Sequence, residues 1–229
     1  MTSFTHDTAP TQYAEGGGVR FAYRRFGMPG RPPLVFVQHF MGTLDDHDPA
    51  LSDALADDRE VILFNNTGVA SSSRIVPDTI EAMARDAITF TGALALTTID
   101  LVGHSMGGLV AQEVALARPD LVRRLVLAGT GPRGGEGIGA HPARVGELFT
   151  RKYQRQEDMW LPTLFAPTGP ASRSARTRVL VSSRKRLKEG SRFRRFGLLA
   201  WACWRGRSRH VAGCGRLPRA WGRTGTGAS

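Results

Sequence analysis

The sequence predicts an α/β fold, in which a doubly wound and mostly parallel sheet carries helices on both faces. Two observations support this: the strand candidates are short and apolar, and segments with helical spacing separate them. Such alternation is typical of parallel sheets, because each crossover connection contains a helix. Strands are predicted at residues 33–37, 60–64, 98–102 and 121–128, and helices at residues 49–56, 79–96 and 106–117.

The helix at residues 79–96 has the clearest periodicity. Its apolar side chains recur with an approximate helical spacing, which predicts one face packed on the sheet: Ile80, Met83, Ala87, Ile88 and Leu94. Ligands of open α/β sheets bind outside the carboxyl ends of the strands. Phe40, Asn65 and Ser105 follow three of the predicted strands and are therefore expected at that edge.

The connection between the strand at residues 98–102 and the next helix reads Gly103-His104-Ser105-Met106-Gly107. A serine between two glycines at a strand-to-helix turn is the pattern of a nucleophile elbow, which exposes the hydroxyl above the sheet. Ser105 is the candidate catalytic nucleophile. The N–H of Met106, at the positive end of the helix, is a candidate donor to an oxyanion.

These residues resemble the α/β-hydrolase fold family, and in particular its esterase, lactonase and haloperoxidase-like members. The resemblance covers about residues 19–170. It implies a serine hydrolase acting on carboxylic esters or related acyl substrates. It also implies that the N–H of Phe40 is the second oxyanion-hole donor, because this residue follows the strand at residues 33–37.

The chain departs from the family pattern at several positions. Gln38-His39 stands where His-Gly is usual, and a histidine at a strand end is expected to make a local hydrogen bond. Asn65 replaces the usual aspartate and Ala70 the usual glycine. We therefore expect the loop after the strand at residues 60–64 to lose a charge-assisted hydrogen bond and a permissive backbone position.

By resemblance, residues 1–140 form the N-terminal part of the hydrolase core and residues 141–170 begin a cap. A polar-faced helix is expected at residues 142–156. Three apolar side chains after it are expected either to roof a substrate cavity or simply to pack the cap onto the core. They are Trp160, Leu164 and Phe165.

The charge changes sharply near residue 171. Residues 1–170 hold 15 Lys and Arg against 19 Asp and Glu, whereas residues 171–229 hold 16 against the single acid Glu189. This basic tail, rich in Arg, Gly and Trp, does not read as a hydrolase C-terminus. We expect it to be disordered or aberrant, with the C-terminal strands of the fold missing.

Three explanations of the tail are open. A reading-frame change on a G+C-rich gene would truncate the fold, a basic arm could bind nucleic acid or an anionic surface, or the tail could complete an unusual hydrolase. His210 and Glu136 are weak candidates for the base and acid of a triad. With neither partner recognisable, catalysis is expected to be impaired, and the alternative is a catalytically dead hydrolase-fold protein.

The sequence also predicts what the protein lacks. Cys203 and Cys214 form neither a disulfide framework nor a metal-ligand cluster, so we expect no metal and no cofactor. No segment is long and apolar enough to cross a membrane, and no secretory signal is visible.

We expect a cytoplasmic protein with a small-molecule ester or acyl substrate and no specific nucleic-acid partner. A sheet ending at its sixth strand could self-associate through that edge.

Overall fold

The computed structural model describes residues 4–133, together with Gly135, Glu147 and Arg151. Within these residues, six strands form one sheet in the order β1-β2-β4-β3-β5-β6. The pairs β1/β2 and β2/β4 are antiparallel, and the remaining pairs are parallel. The strands are β1 (Gln12–Gly16), β2 (Val19–Gly27), β3 (Leu34–Val37), β4 (Glu60–Phe64), β5 (Ile99–His104) and β6 (Val122–Ala128).

Among the described residues the chain forms three helices, and the first two begin at side-chain caps. They are α1 (Pro49–Ala56), α2 (Ile80–Ala93) and α3 (Met106–Ala117). The Asp48 carboxylate accepts the N–H of Ala50 at 3.0 Å, and the Thr79 hydroxyl accepts the N–H of Ala82 at 3.1 Å. The third helix begins directly after Ser105, without a side-chain cap.

Two hydrophobic clusters lie on opposite faces of the sheet. The larger one packs Phe21, Phe64 and Phe90 together, with the Phe64 and Phe90 rings stacked at 4.3 Å, and includes buried residues of α2 and α3. The smaller one contains Phe36 and, from α1, Ala56. Helices therefore cover both faces, as predicted for a doubly wound α/β sheet.

The sequence analysis did not predict β1, which adds an antiparallel edge strand. Gly16 pairs with Val19, so Gly17 and Gly18 form a two-residue hairpin loop, and both have positive φ angles of 58° and 73°. Tight hairpins require this left-handed backbone, which glycine adopts most readily. The Gly-Gly pair was the signal that could have revealed the hairpin.

At the other edge of the described sheet, β6 is exposed over most of its length. Leu125, Val126 and Leu127 are 36%, 50% and 44% exposed. Of the expected cap, the basic tail and the predicted loss of C-terminal strands, the structure describes only Glu147 and Arg151. Within that part, no helix has the length and apolar character needed to cross a membrane.

Candidate active site

The carboxyl ends of β3, β4 and β5 meet at one edge of the sheet. Val37 pairs with Gly103, and Phe36 pairs with Leu63, so these parallel strands end side by side. The residues that follow them are Phe40, Asn65 and Ser105, so these three positions lie at the carboxyl edge of the strands, where the ligands of α/β sheets generally bind.

Ser105 has a strained backbone. Its φ of 53° and ψ of −121° are unusual for a residue with a side chain, and such conformations cost about 1–3 kcal/mol. Hydrogen bonds on both sides maintain the turn: the Ser105 N–H donates to the Ala128 carbonyl at 2.9 Å, and the Ser105 carbonyl accepts the Gly108 N–H at 2.9 Å. The sharp turn at the end of β5 is therefore fixed by β6 and by α3.

The two glycines of the elbow are required by close packing. A Cβ on Gly103 would lie 2.6 Å from the Gly108 Cα, and one on Gly107 would lie 2.6 Å from the Gln38 carbonyl oxygen. Real Cβ atoms do not approach other atoms so closely. The first turn of α3, with Met106, therefore lies directly against the end of β3.

The turn after β3 is held by its own hydrogen bonds. The Gly42 N–H donates to the His39 carbonyl at 3.0 Å, and the His39 ring nitrogen Nδ1 lies 2.9 Å from the Phe40 carbonyl oxygen. Met41 has a positive φ of 60°. His39 thus makes the local hydrogen bond expected of it. Its ring also lies against that of His104, with centroids 5.4 Å apart at 73°.

The loop after β4 is better held than the sequence suggests. The buried Asn65 amide oxygen accepts the Leu44 N–H at 2.8 Å, and the Ser72 hydroxyl donates to the Asn65 carbonyl at 2.8 Å. Asparagine therefore makes a neutral hydrogen bond where aspartate would make a charged one. Ala70 has a φ of 45°, so the position does require the left-handed backbone for which glycine is suited.

Histidines dominate the electrostatics near this edge. Burial, together with His39, His6 and His104, lowers the pKa of His47 to about 3, and its Nε2 is a buried atom without a hydrogen-bond partner. Partial loss of hydration and the neighbouring His39 also lower the pKa of His104. Both rings are therefore neutral at pH 7. The sequence analysis missed His47, because its position in the loop before α1 carries no signal of burial.

Several predicted site residues lie outside the described part of the chain, so their positions relative to Ser105 stay untested. They are Glu136, Trp160, Leu164, Phe165 and His210. Among the described residues, no group of three or more His, Cys, Asp or Glu side chains is arranged to hold a metal ion.

Comparison with known proteins identifies the family. A family model described as alpha/beta hydrolase fold matches residues 32–212 and so continues past residue 170, where the sequence resemblance was expected to end. In structure, the chain is similar to an alpha/beta hydrolase fold protein from Chitinophaga pinensis, with a TM-score of 0.72 and 34% identity. That similarity covers 82% of this chain and 67% of the other.

Two curated relatives are similar over shorter stretches. A protein of Rhizobium rhizogenes provisionally named carbamate hydrolase RutD is 38% identical over 33% of this chain and 29% of its own length. The sn-1-specific diacylglycerol lipase ABHD11 of Danio rerio is 35% identical over 44% of this chain and 32% of its own length. The chain thus spans less than half the length of these relatives. The sheet, the elbow and the matched family model together show that the chain belongs to the α/β-hydrolase fold family.

Proposed function

We propose that the chain is a serine hydrolase that attacks carboxylic esters or related acyl substrates through Ser105. The observation that carries the proposal is the strained backbone of Ser105, with a φ of 53° at the junction of β5 and α3. Strain of this kind persists only where the surrounding structure enforces it, and it is concentrated at functional sites. A serine in this turn presents its hydroxyl above the sheet edge.

In the proposed reaction, the Ser105 oxygen bonds to the acyl carbonyl carbon and a negative charge develops on the carbonyl oxygen. The N–H groups of Phe40 and Met106 would stabilise that oxyanion. Two features support this pairing: Gly107 packs on the Gln38 carbonyl, and Met106 begins α3, whose N-terminal end is positive. Removing such a donor typically slows catalysis about 10²–10³-fold.

The proton of the Ser105 hydroxyl must pass to a base. Every histidine of residues 4–133 precedes Ser105, whereas His141 and His210 follow it and lie outside the described residues. Because the sequence offers no recognisable triad acid or base, we expect impaired turnover. Binding and an oxyanion hole alone retain about 10³–10⁴-fold catalysis over water. The proposed activity is accordingly a weak esterase activity.

The relatives support an acyl substrate. The names carbamate hydrolase and diacylglycerol lipase both describe cleavage at a carbonyl carbon that bears a heteroatom leaving group. A small-molecule ester that needs no cofactor fits this chemistry. The cytoplasmic location stays a prediction from the sequence.

Fluorophosphonate labelling of the purified full-length chain tests the proposal. The reagent phosphonylates an activated serine, and intact mass spectrometry counts the adducts. Because no triad base is recognisable, we expect slow labelling that reaches one adduct per chain on the wild type, and none on Ser105→Ala. A folded wild-type chain that takes up no label, or a Ser105→Ala variant that is labelled equally well, would contradict the assignment of Ser105 as the nucleophile.

We also propose self-association through β6. This strand ends the described sheet, and its exposed Leu125, Val126 and Leu127 form an apolar stretch at that edge. Edge strands pair readily with other chains unless a charge blocks them, and the two arginines of β6, Arg123 and Arg124, precede this apolar stretch. Sedimentation velocity should therefore show an oligomer that Val126→Lys converts to monomer; a wild-type monomer would rule out the interface.

A further inference from the structure

The direction of the Phe40 N–H is set by the turn in which it lies. The peptide that joins His39 to Phe40 contributes both the His39 carbonyl and the Phe40 N–H, which point in opposite directions in a trans peptide. The Gly42 N–H holds that carbonyl at 3.0 Å. The orientation of this carbonyl therefore also fixes the orientation of the Phe40 N–H.

The next peptide is held by a side chain. The Phe40 carbonyl oxygen lies 2.9 Å from Nδ1 of His39. A carbonyl oxygen only accepts hydrogen bonds, so Nδ1 must carry the proton, and in the neutral ring Nε2 then carries the lone pair. Both peptides around Phe40 are thereby restrained, one by Gly42 and the other by the His39 ring.

The ring of His39 is itself held by its neighbours. The His104 ring packs against it edge to face, with centroids 5.4 Å apart. The ring also lies close to Gly42, where a Cβ would come within 2.8 Å of Nε2. His104 immediately precedes Ser105 in the chain. The restraint on Phe40 is therefore built against the same elbow that carries the nucleophile.

We propose that His39 is a positioning residue: its Nδ1–H bond to the Phe40 carbonyl restrains the peptide after Phe40, and together with the Gly42 bond to the peptide before Phe40 it keeps the Phe40 N–H in the orientation that an oxyanion donor requires. The inference rests on the proposed function, because it assumes that the Phe40 N–H stabilises the oxyanion. Preorganised donors owe their catalytic effect to being fixed before the reaction begins. A loss of this restraint should therefore slow the attack by Ser105 more than it weakens substrate binding.

A matched pair of variants isolates the hydrogen bond. His39→Phe keeps a ring against His104 but has no donor, whereas the amide N–H of His39→Asn occupies nearly the place of Nδ1–H. We expect fluorophosphonate labelling of the full-length chain to slow about tenfold or more in His39→Phe, and to stay within about threefold of wild type in His39→Asn. Kinetics with p-nitrophenyl acetate should show the loss in kcat and leave KM nearly unchanged.

A measurement that does not depend on activity tests the hydrogen bond itself. Nitrogen-15 NMR of histidine-labelled protein, with His39 identified through the His39→Asn variant, should show the Nδ1–H tautomer at pH 8. The Gly42 amide should exchange with solvent faster in His39→Phe than in His39→Asn. An Nε2–H tautomer would overturn the inference.

The outcomes separate this inference from the proposed function. Should wild type be labelled and His39→Phe react equally fast, the positioning role is wrong and the nucleophile assignment stands. Equal slowing of both variants would also overturn the role. His39→Asn keeps the donor and His39→Phe keeps the ring, so the rate would then depend on the basic ring nitrogen that both variants lack. A wild-type chain that is not labelled overturns the proposed function and the role together, even if NMR shows the Nδ1–H tautomer.

Discussion

Gly107, in the first turn of α3, lies so close to the Val37 carbonyl oxygen at the end of β3 that no side chain fits between them. The contact places the beginning of α3 against the end of β3. The two candidate oxyanion donors, Met106 at the start of α3 and Phe40 after β3, therefore lie on neighbouring elements. The steric requirement at Gly107 is therefore a requirement of the site as well as of the fold.

Replacing Gly107 with alanine should destabilise the protein by about 3 kcal/mol or more, because the clash is with backbone atoms that cannot rotate away. Urea unfolding measures the change. Gly92→Ala is the matched control: it lies in α2, and nothing lies within 4 Å of its added Cβ, so it should gain up to about 1 kcal/mol of helix propensity. Equal stability changes in the two variants would contradict this account of the elbow.

Ser105→Gly should release the backbone strain at the elbow. Glycine tolerates positive φ, so we expect the free energy of unfolding to rise by about 1 kcal/mol while fluorophosphonate labelling disappears. Ser105→Ala also removes the hydroxyl but keeps a Cβ at a φ of 53°, so it should abolish labelling without the gain in stability. If glycine were no more stable than alanine here, the elbow would not be strained.

Ala70 offers a second test of backbone strain, away from the nucleophile. With a φ of 45° and an exposed side chain, Ala70→Gly should stabilise the chain by about 0.5–1 kcal/mol. The same substitution at the exposed helical residue Ala50 should instead destabilise it by up to about 1 kcal/mol. Thermal denaturation of both variants shows whether their midpoints move in opposite directions.

Much of the fold could be predicted because its signals are local. The helices at residues 49–56 and 106–117 have the predicted bounds, since Asp48 and Pro49 begin one and the elbow begins the other. The predicted helix at residues 79–96 is shorter in the structure, at Ile80–Ala93, because the chain turns at Leu94, which has a φ of −92° and a ψ of 6°. The residue at which such a helix ends depends on the path of the following chain, which the helical periodicity does not show.

The site was only partly predictable, because local signals identify some of its residues and not others. The elbow pattern identified Ser105, but the contact between the rings of His39 and His104 depends on β3 and β5 being neighbours, which no local pattern encodes. Strand β5 runs to His104, beyond the predicted residue 102, because pairing with Ala128 of β6 extends it. The features that the sequence did not predict are therefore those that contacts between distant segments of the chain determine.

The partly buried His47, whose Nε2 is shielded from solvent, should make stability depend on pH. Its folded pKa of about 3 lies below the ordinary value of 6.5, so between these values the unfolded chain binds a proton that the folded chain does not. Stability is therefore complete above pH 6.5 and falls as the pH drops, by about 2 kcal/mol at pH 5. Urea unfolding at pH 7, 6 and 5 measures this slope.

His47→Phe is the variant that isolates this effect. Phenylalanine keeps an aromatic ring against Phe36, whose ring centroid lies 4.8 Å from that of His47. It also removes the buried Nε2 atom, which has no hydrogen-bond partner. We expect stability at pH 7 to be kept or raised, and most of the slope between pH 7 and 5 to disappear. A smaller slope of the same sign should remain, because the pKa of His104 is also lowered. A variant that keeps the full wild-type slope would show that His47 is not the group that titrates.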